Sequence, residues 1–299
     1  MNLCLKNEIR RCRPLLGTFV EVTVDHHDAG QAQRAIDAAF AAIERVGHLM
    51  SFHDPQSEVS RLNRLAAHQN VFISCETYEV LRCAKELHER TEGIFDITVA
   101  SELLDRGLLP NHAFLSGYKN YCGRTSDIEL LPDGLVHFLR PLCIDLGGIA
   151  KGFAVDQAVE ALEHNGIQNG LVNAGGDMHC FGVQEHPVLI RPPAVSAEFI
   201  FWPTLLKNAA MATSSVRTDS VFSKNLASAG HVKMPSGDFL KEVKTATVFA
   251  QKCLLADALT KVVLLGSADA SARVLAFYRT KALVFGSNGQ LETMMGDLR

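Results

Sequence analysis

A glycine pair flanked by acidic residues is the strongest chemical signal in the sequence. It lies in Asp145-Leu-Gly-Gly-Ile-Ala-Lys-Gly-Phe-Ala-Val-Asp156, where we expect an apolar strand to end, turn at the glycines and continue as a helix. Glycines let backbone N–H groups approach a ligand, and a helix N-terminus adds unpaired donors and a partial positive charge. Lys151 would add a full charge, and Asp145 could accept from a ring N–H or a ribose hydroxyl. The pattern favours a phosphate site; the alternative is a plain strand-to-helix turn whose glycines only relieve steric crowding.

A second glycine pair follows the next predicted strand, in Asn173-Ala-Gly-Gly-Asp177. By itself this segment is more typical of a tight turn that Asp177 caps. Two glycine corners close together in sequence, each at a predicted strand end, fit one composite ligand site better than two unrelated turns.

A third polar cluster, Ala256-Asp-Ala-Leu-Thr-Lys261, begins an apolar helix. Asp257, Thr260 and Lys261 are three and four residues apart, so their side chains share a helix face. A carboxylate and a hydroxyl on one face are hard oxygen ligands that could help to hold Mg²⁺ against a pyrophosphate. The alternative is a helix N-cap by Asp257 with an ordinary Asp–Lys pair.

These residues would be positioned by alternating strands and helices. Hydrophobic periodicity predicts amphipathic helices and short strands along the whole chain. The predicted helices are 30–50, 76–91, 151–165, 254–265 and 268–278, and the predicted strands are 17–24, 170–174, 188–191 and 281–286. We therefore expect an α/β fold, with mixed sheet and packed helices, that forms one compact domain over residues 13–299 after an N-terminal extension of residues 1–12.

Composition excludes several classes of protein. The net charge is −4, and the 29 basic residues are spread along the chain, so nucleic acid is not expected as a partner. No apolar run is long enough to span a bilayer, and charged residues interrupt the N-terminus before a signal peptide could form, so we expect a cytoplasmic protein. The 8 cysteines are scattered without a Cys-x-x-Cys pair, which is typical of reduced thiols rather than a zinc site.

Several segments of the chain together carry a resemblance to a known family. In chain order they are Arg13–Glu21, Met50–Asn63, Gly93–Asp96, Asp145–Asp156, Asn173–Asp177, Ala212–Ser215 and Ala256–Lys261. Their order and spacing resemble the ApbE family of FAD:protein FMN transferases. The resemblance implies FAD as the FMN donor, Mg²⁺ as the catalytic metal, and a threonine hydroxyl of a partner flavoprotein as the acceptor.

The resemblance and the two glycine corners also predict roles for single residues. The residues predicted to surround FAD are Leu16, His53, Ile94, Phe95, Asp96, Asp145, Lys151, Asn173, Gly175, Gly176, Asp177, Thr213 and Val232. Mg²⁺ would be bound by the Gly148 carbonyl, by Asp257, which is also a predicted catalytic residue, and by the Thr260 hydroxyl. His231 would be the catalytic acid–base group, since an imidazole suits proton transfer near neutral pH.

The sequence departs from the family pattern at four places. His53 replaces a tyrosine near the flavin, Met234 precedes Pro235 where an aspartate is usual, and Ser215 replaces a glycine. Lys261 stands where a threonine usually offers its hydroxyl to the metal, and an ammonium group would repel Mg²⁺.

The last of these departures leaves alternatives open. Either Thr260 supplies the hydroxyl and Lys261 points away, or Lys261 itself neutralises the pyrophosphate, and the site works without metal or does not turn over. The rival functions to FMN transfer are a catalytically degenerate FAD-binding protein on the same fold and an FAD pyrophosphatase.

Overall fold

The fold was analysed in a computed structural model, which describes residues 7–115, 117, 121–191, 202–216 and 244–296. The strands in these residues are β1 (Glu8–Leu15), β2 (Thr18–Asp25), β3 (Val71–Phe72), β4 (Ile128–Leu131), β5 (Leu135–Phe138), β6 (Gly170–Ala174), β7 (Asp177–Phe181), β8 (His186–Ile190), β9 (Trp202–Leu206), β10 (Ala209–Val216), β11 (Lys244–Ala250), β12 (Lys281–Phe285) and β13 (Leu291–Gly296). The α-helices are α1 (Ala29–Met50), α2 (Glu58–Leu65), α3 (Cys75–Arg90), α4 (Ala100–Asp105), α5 (Ala150–His164), α6 (Cys253–Leu265) and α7 (Ala268–Phe277). Short 3₁₀ helices lie at Ala113–Leu115, Thr125–Asp127 and Pro132–Gly134.

Eight strands form the main sheet, in the order β1-β2-β6-β7-β10-β11-β12-β13. Smaller sheets are β3-β5-β4 and β8-β9. The predicted class of mixed α and β structure with helices packed on a sheet is confirmed. The strand pairs described in the main sheet are all antiparallel. The sheet is therefore antiparallel rather than the expected mixture of parallel and antiparallel pairs.

Helices α1, α5 and α6 cover the main sheet and bury the core against it. The Asp28 side chain caps α1 by accepting from the backbone N–H groups of Gly30 and Gln31. Apolar residues then recur every three or four positions and become buried, including Ile36 and Phe40. In this part of the chain the hydrophobic pattern alone is enough to place the helix.

Most predicted elements are confirmed. The five predicted helices are α1, α3, α5, α6 and α7, and the predicted strands are β2, β6, β8 and β12. Gly166 follows the end of α5 with a φ of +83°, a conformation that favours glycine and ends the helix.

The prediction of an apolar strand just before the first glycine pair was wrong. Residues 141–146 form no strand and belong to no sheet. The Asn63 side chain takes the place of a neighbouring strand, since its amide accepts from Ile144 N at 2.8 Å and donates to Ile144 O at 2.9 Å. Asp145 N donates to Ile97 O at 2.9 Å. The stretch is therefore held in place by a side chain and a loop, which the hydrophobic pattern could not indicate.

Strand β1 was not predicted from the sequence. It carries three arginines and is largely exposed, so it lacks the apolar alternation of its partner β2. Turn residues Leu16 and Gly17 join the two strands with φ values of +52° and +71°. The division into an extension, residues 1–12, and a domain, residues 13–299, stays a prediction, and its boundary falls inside β1. Within the described ranges, no helix is both long and apolar enough to cross a membrane.

Candidate active site

Two ion pairs with buried carboxylates lie where α5 and α6 meet the turn between β6 and β7. Lys151 of α5 donates to the carboxylate of Asp177, the first residue of β7. Lys261 of α6 donates to the Asp257 carboxylate Oδ1 and also to the Asp257 carbonyl oxygen, the latter at 3.0 Å. The three polar segments singled out in the sequence therefore converge in space.

The electrostatics of the cluster depend on its burial. Asp177 and Asp257 are 1% and 0% exposed. Burial and repulsion from Asp257 raise the pKa of Asp177, although Lys151 opposes the shift. Burial would also raise the pKa of Asp257, but attraction to Lys261 and Lys151 outweighs it, and the pKa is lowered overall. Two ammonium groups thus balance two carboxylates in a site largely closed to solvent.

Lys151 is the more accessible of the two lysines. Burial lowers its pKa, but the nearby carboxylates of Asp177 and Asp257 outweigh burial, so the pKa is raised overall. The side chain remains 37% exposed. Lys151 therefore carries a permanent positive charge that a ligand can reach.

Gly152 fixes the close approach of α5 and α6. Its N–H donates to Asp257 Oδ2 at 3.1 Å. A Cβ at this position would lie 2.3 Å from the carbonyl oxygen of Cys253, so a side chain cannot be accommodated without a shift of one helix. Gly152 lies inside the glycine-rich segment, but its packing role was not predicted from the sequence.

Asp156 orients the N-terminus of α6, and its role was also missed. Its carboxylate accepts from the backbone N–H groups of Cys253 and Leu254, both at 2.9 Å. Its Oδ1 also lies 2.7 Å from Nδ1 of His179. Asp156 thus caps a helix that is distant in sequence, and Asp257 and Lys261 lie on that helix.

The residues predicted to bind Mg²⁺ do not fit a divalent cation. Both oxygens of the Asp257 carboxylate already accept from protein donors, namely Lys261 Nζ and Gly152 N. The Thr260 hydroxyl donates to the Asp257 carbonyl at 2.6 Å and lies 2.7 Å from the hydroxyl of Ser214 on β10, so it is engaged between α6 and the sheet.

Lys261 occupies the space between Gly148 and Asp257, two of the three predicted ligands. Its Cε lies 3.6 Å from the position of a Cβ built on Gly148, and its Nζ reaches Asp257. Two like unit charges about 4 Å apart repel by about 4 kcal/mol at an effective dielectric constant of about 20, and a divalent ion would double this. Among the described residues, no group of three or more His, Cys, Asp or Glu side chains is placed to bind a metal.

Two cavities lie beside the first glycine corner. The larger, about 760 Å³, is lined by Leu16, His53, Asp145 and Lys151 among others. The smaller, about 450 Å³, is lined by the segment 93–99, Asp145, Gly148 and Lys261 among others. Asp145 lines both, so the two basic side chains stand on either side of the junction.

Asp96 is the most heavily hydrogen-bonded predicted ligand residue in the smaller cavity. Its Oδ1 accepts from Thr98 N at 2.8 Å, from the Thr98 hydroxyl at 2.6 Å and from the Thr125 hydroxyl at 2.8 Å. Its Oδ2 lies 3.4 Å from Nδ1 of His88. This network holds the 93–99 segment in a fixed shape beside the cavity.

The second glycine corner is a tight hairpin turn between β6 and β7. Gly175 and Gly176 have φ values of +66° and +104°, which favour glycine, and Asn173 Oδ1 accepts from Gly176 N at 3.0 Å. The turn thus explains both glycines, and its contribution to the site is the Asp177 carboxylate. None of these residues lines either cavity.

Three other predicted site residues lie apart from the cavities or outside the described ranges. The Thr213 hydroxyl lies 2.9 Å from the Thr247 hydroxyl across β10 and β11. His231 and Val232 lie outside the described residues. Their predicted roles stay predictions.

A protein-family model matches the part of the chain that contains these segments. The model of the ApbE family matches residues 16–284, which include both cavities and the ionic cluster. The chain belongs to the ApbE family.

Individual ApbE relatives agree with this membership. The chain is 26% identical to the FAD:protein FMN transferase of Vibrio cholerae over 73% of its own length and 69% of the relative's. It is 23% identical to the FAD:protein FMN transferase of Klebsiella pneumoniae over 67% of its own length and 64% of the relative's. The chain therefore aligns with about two thirds of the length of these relatives.

A solved ApbE structure has the same fold. The flavin transferase ApbE from Vibrio cholerae superposes with a TM-score of 0.79 over 98% of this chain and 97% of its own, at 22% identity. At this identity the likeness establishes the fold alone.

Proposed function

We propose that this ApbE-family protein is an FAD:protein FMN transferase. It transfers FMN from FAD to the hydroxyl of a threonine in an acceptor flavoprotein. The threonine oxygen bonds to the phosphorus of the FMN half, the P–O bond to AMP breaks, AMP leaves, and the hydroxyl proton passes to a base. His231 is the residue we propose as that base.

The observation that carries this proposal is the pair of cavities that share Asp145 in their walls, with one lysine on each side. FAD consists of two bulky halves joined by a pyrophosphate. Two neighbouring pockets could each hold one half, with a lysine on each side to face the pyrophosphate. Lys151 lines the larger cavity and Lys261 the smaller. Two ammonium groups near the bridging phosphates would stabilise the charge that develops on the leaving phosphate.

The predicted FAD residues divide between these pockets. Leu16 and His53 lie along the larger one, and Ile94, Phe95 and Asp96 lie along the smaller one. Asn173, Gly175, Gly176 and Asp177 would act indirectly, because their turn presents the carboxylate that holds Lys151. The names of the curated relatives support FAD as donor and a protein as acceptor.

Mg²⁺ is implied by the resemblance, but the residues present do not fit it, so no step is assigned to a metal. The cytoplasmic location expected from the sequence stays a prediction.

Intact-mass spectrometry tests the proposal. The purified protein is incubated with FAD and an acceptor flavoprotein that carries the target threonine, with a Thr→Ala acceptor as control. The expected result is a mass increase of one FMN phosphoester on the first acceptor alone. An unmodified acceptor with intact FAD would indicate the FAD-binding alternative, which Lys261 favours by occupying the expected metal position. An unmodified acceptor with free FMN and AMP would indicate the pyrophosphatase.

A further inference from the structure

The ammonium group of Lys261 has one N–H donor available for a ligand at the edge of the smaller cavity. A protonated lysine has three N–H donors. Among the described residues, its Nζ has two acceptors, both on Asp257. The third N–H group is left for a ligand, and the side chain lines the cavity beside Gly148.

The position of Lys261 is determined by the fold rather than by its own flexible side chain. Asp156 fixes the N-terminus of α6, and Gly152 lets α5 approach it closely. The Lys261 side chain is 8% exposed, so packing restricts its conformations. A pre-positioned charge of this kind loses little conformational entropy when a ligand binds.

We infer that the ammonium group of Lys261 takes the place of a divalent cation in this protein, so that FAD binds with its pyrophosphate against Lys261 and needs no Mg²⁺. This inference rests on the proposed function for the identity of the ligand. Asp257 then has a changed role, because its carboxylate holds an ammonium group in place of a metal ion.

Isothermal titration of the full-length protein with FAD tests this inference, once in EDTA and once with Mg²⁺. The variants are Lys261→Met, which keeps the length of the side chain without its charge, and Lys261→Thr. Lys252→Met is the matched control, because Lys252 is the exposed N-cap residue of the same helix and is paired with Glu160.

The wild type and Lys252→Met should bind FAD with the same affinity in EDTA and in Mg²⁺. Lys261→Met should lose about tenfold or more in affinity, because one charge-assisted hydrogen bond is removed, and Mg²⁺ should not restore it. Lys261→Thr should bind FAD weakly in EDTA and regain affinity with Mg²⁺.

Loss of the lysine leaves Asp257 without its cation, so a folding defect must be separated from a binding defect. The double variant Lys261→Met/Asp257→Asn removes both charges of the pair and keeps the shape of both side chains. It should unfold at the wild-type urea midpoint and still bind FAD about tenfold or more weakly.

Wild-type affinity that rises about tenfold with Mg²⁺ would overturn the inference, as would full affinity in a folded double variant. Metal-independent FAD binding without transfer to an acceptor would refute the proposed function and leave this inference intact. Absence of FAD binding in both buffers would overturn both.

Discussion

Replacing Gly152 with alanine tests whether the close contact between α5 and α6 sets the geometry of the site. The added Cβ would lie 2.3 Å from the Cys253 carbonyl oxygen, 2.6 Å from the Cys253 carbonyl carbon and 2.9 Å from the Asp257 Cβ. Two of these atoms are backbone, so the clash cannot be relieved by rotating a side chain. One helix must move away from the other.

Two opposing effects set the size of the change. Alanine favours a helix interior over glycine by about 1 kcal/mol, whereas overpacking a tight contact costs about 1 to 3 kcal/mol. The shift also lengthens the 3.1 Å hydrogen bond from Gly152 N to the Asp257 carboxylate, and weakening a charge-assisted bond of this kind costs about 1 to 2 kcal/mol. We expect a net loss of about 1 to 4 kcal/mol in the free energy of unfolding.

Urea unfolding followed by circular dichroism measures this loss. Gly148→Ala is the matched control in the same segment, because its Cβ would meet Lys261 Cε at 3.6 Å and Phe95 Cε2 at 4.0 Å, which are ordinary contacts. This control should unfold within about 0.5 kcal/mol of the wild type. If Gly152→Ala were as stable as the wild type, the close packing of α5 against α6 would not be a constraint and the reasoning would be refuted.

Three further predictions concern other parts of the fold. Asp156→Asn should lower the free energy of unfolding by about 1 to 3 kcal/mol in the same urea assay, because an amide N–H₂ would face the backbone N–H groups of α6; an unchanged midpoint would contradict this capping role. The hydrogen bond from Arg45 lowers the pKa of Glu76 from 4.5 to about 2, so its stabilisation is complete above pH 4.5 and disappears as the pH falls toward 2. Glu76→Gln should therefore cost about 0.5 to 1 kcal/mol at pH 7, since Arg45 is largely exposed, and nothing near pH 2; an equal cost at both pH values would exclude the ion pair as its source. Burial raises the pKa of the Cys143 thiol to about 12 while Cys122 is exposed, so iodoacetamide at pH 8 should label Cys122 and spare Cys143 in a peptide map; equal labelling would show that Cys143 is accessible.

The local sequence pattern was enough to predict the helices and strands whose positions are determined by their own side chains. Helix α1, for example, follows from the apolar residues that recur every three or four positions along it. Strand β1 was missed and the stretch before Asp145 was wrongly predicted for a common reason. Their conformations are set by partners outside the segment itself, the neighbouring strand β2 in one case and the Asn63 side chain in the other.

The residues of the candidate site also divide into those that a local sequence pattern indicated and those that it could not. The glycine corners and the α6 segment were recognisable because residue types at fixed spacing indicate phosphate or metal chemistry. The roles of Gly152 and Asp156 depend on contacts with α6, about a hundred residues further along the chain, so no local pattern could reveal them. The orientation of Lys261 was left open by the sequence, and the ion pair with Asp257 places it inside the site.

The most direct test of the proposed function is the stoichiometry of the products in a single reaction. The protein is mixed with FAD and the acceptor flavoprotein in EDTA, and AMP, free FMN and acceptor-bound FMN are measured over time by chromatography. Transfer predicts AMP and acceptor-bound FMN rising together in equal amounts, with no free FMN. Intact FAD, or AMP that rises in step with free FMN, would contradict the account.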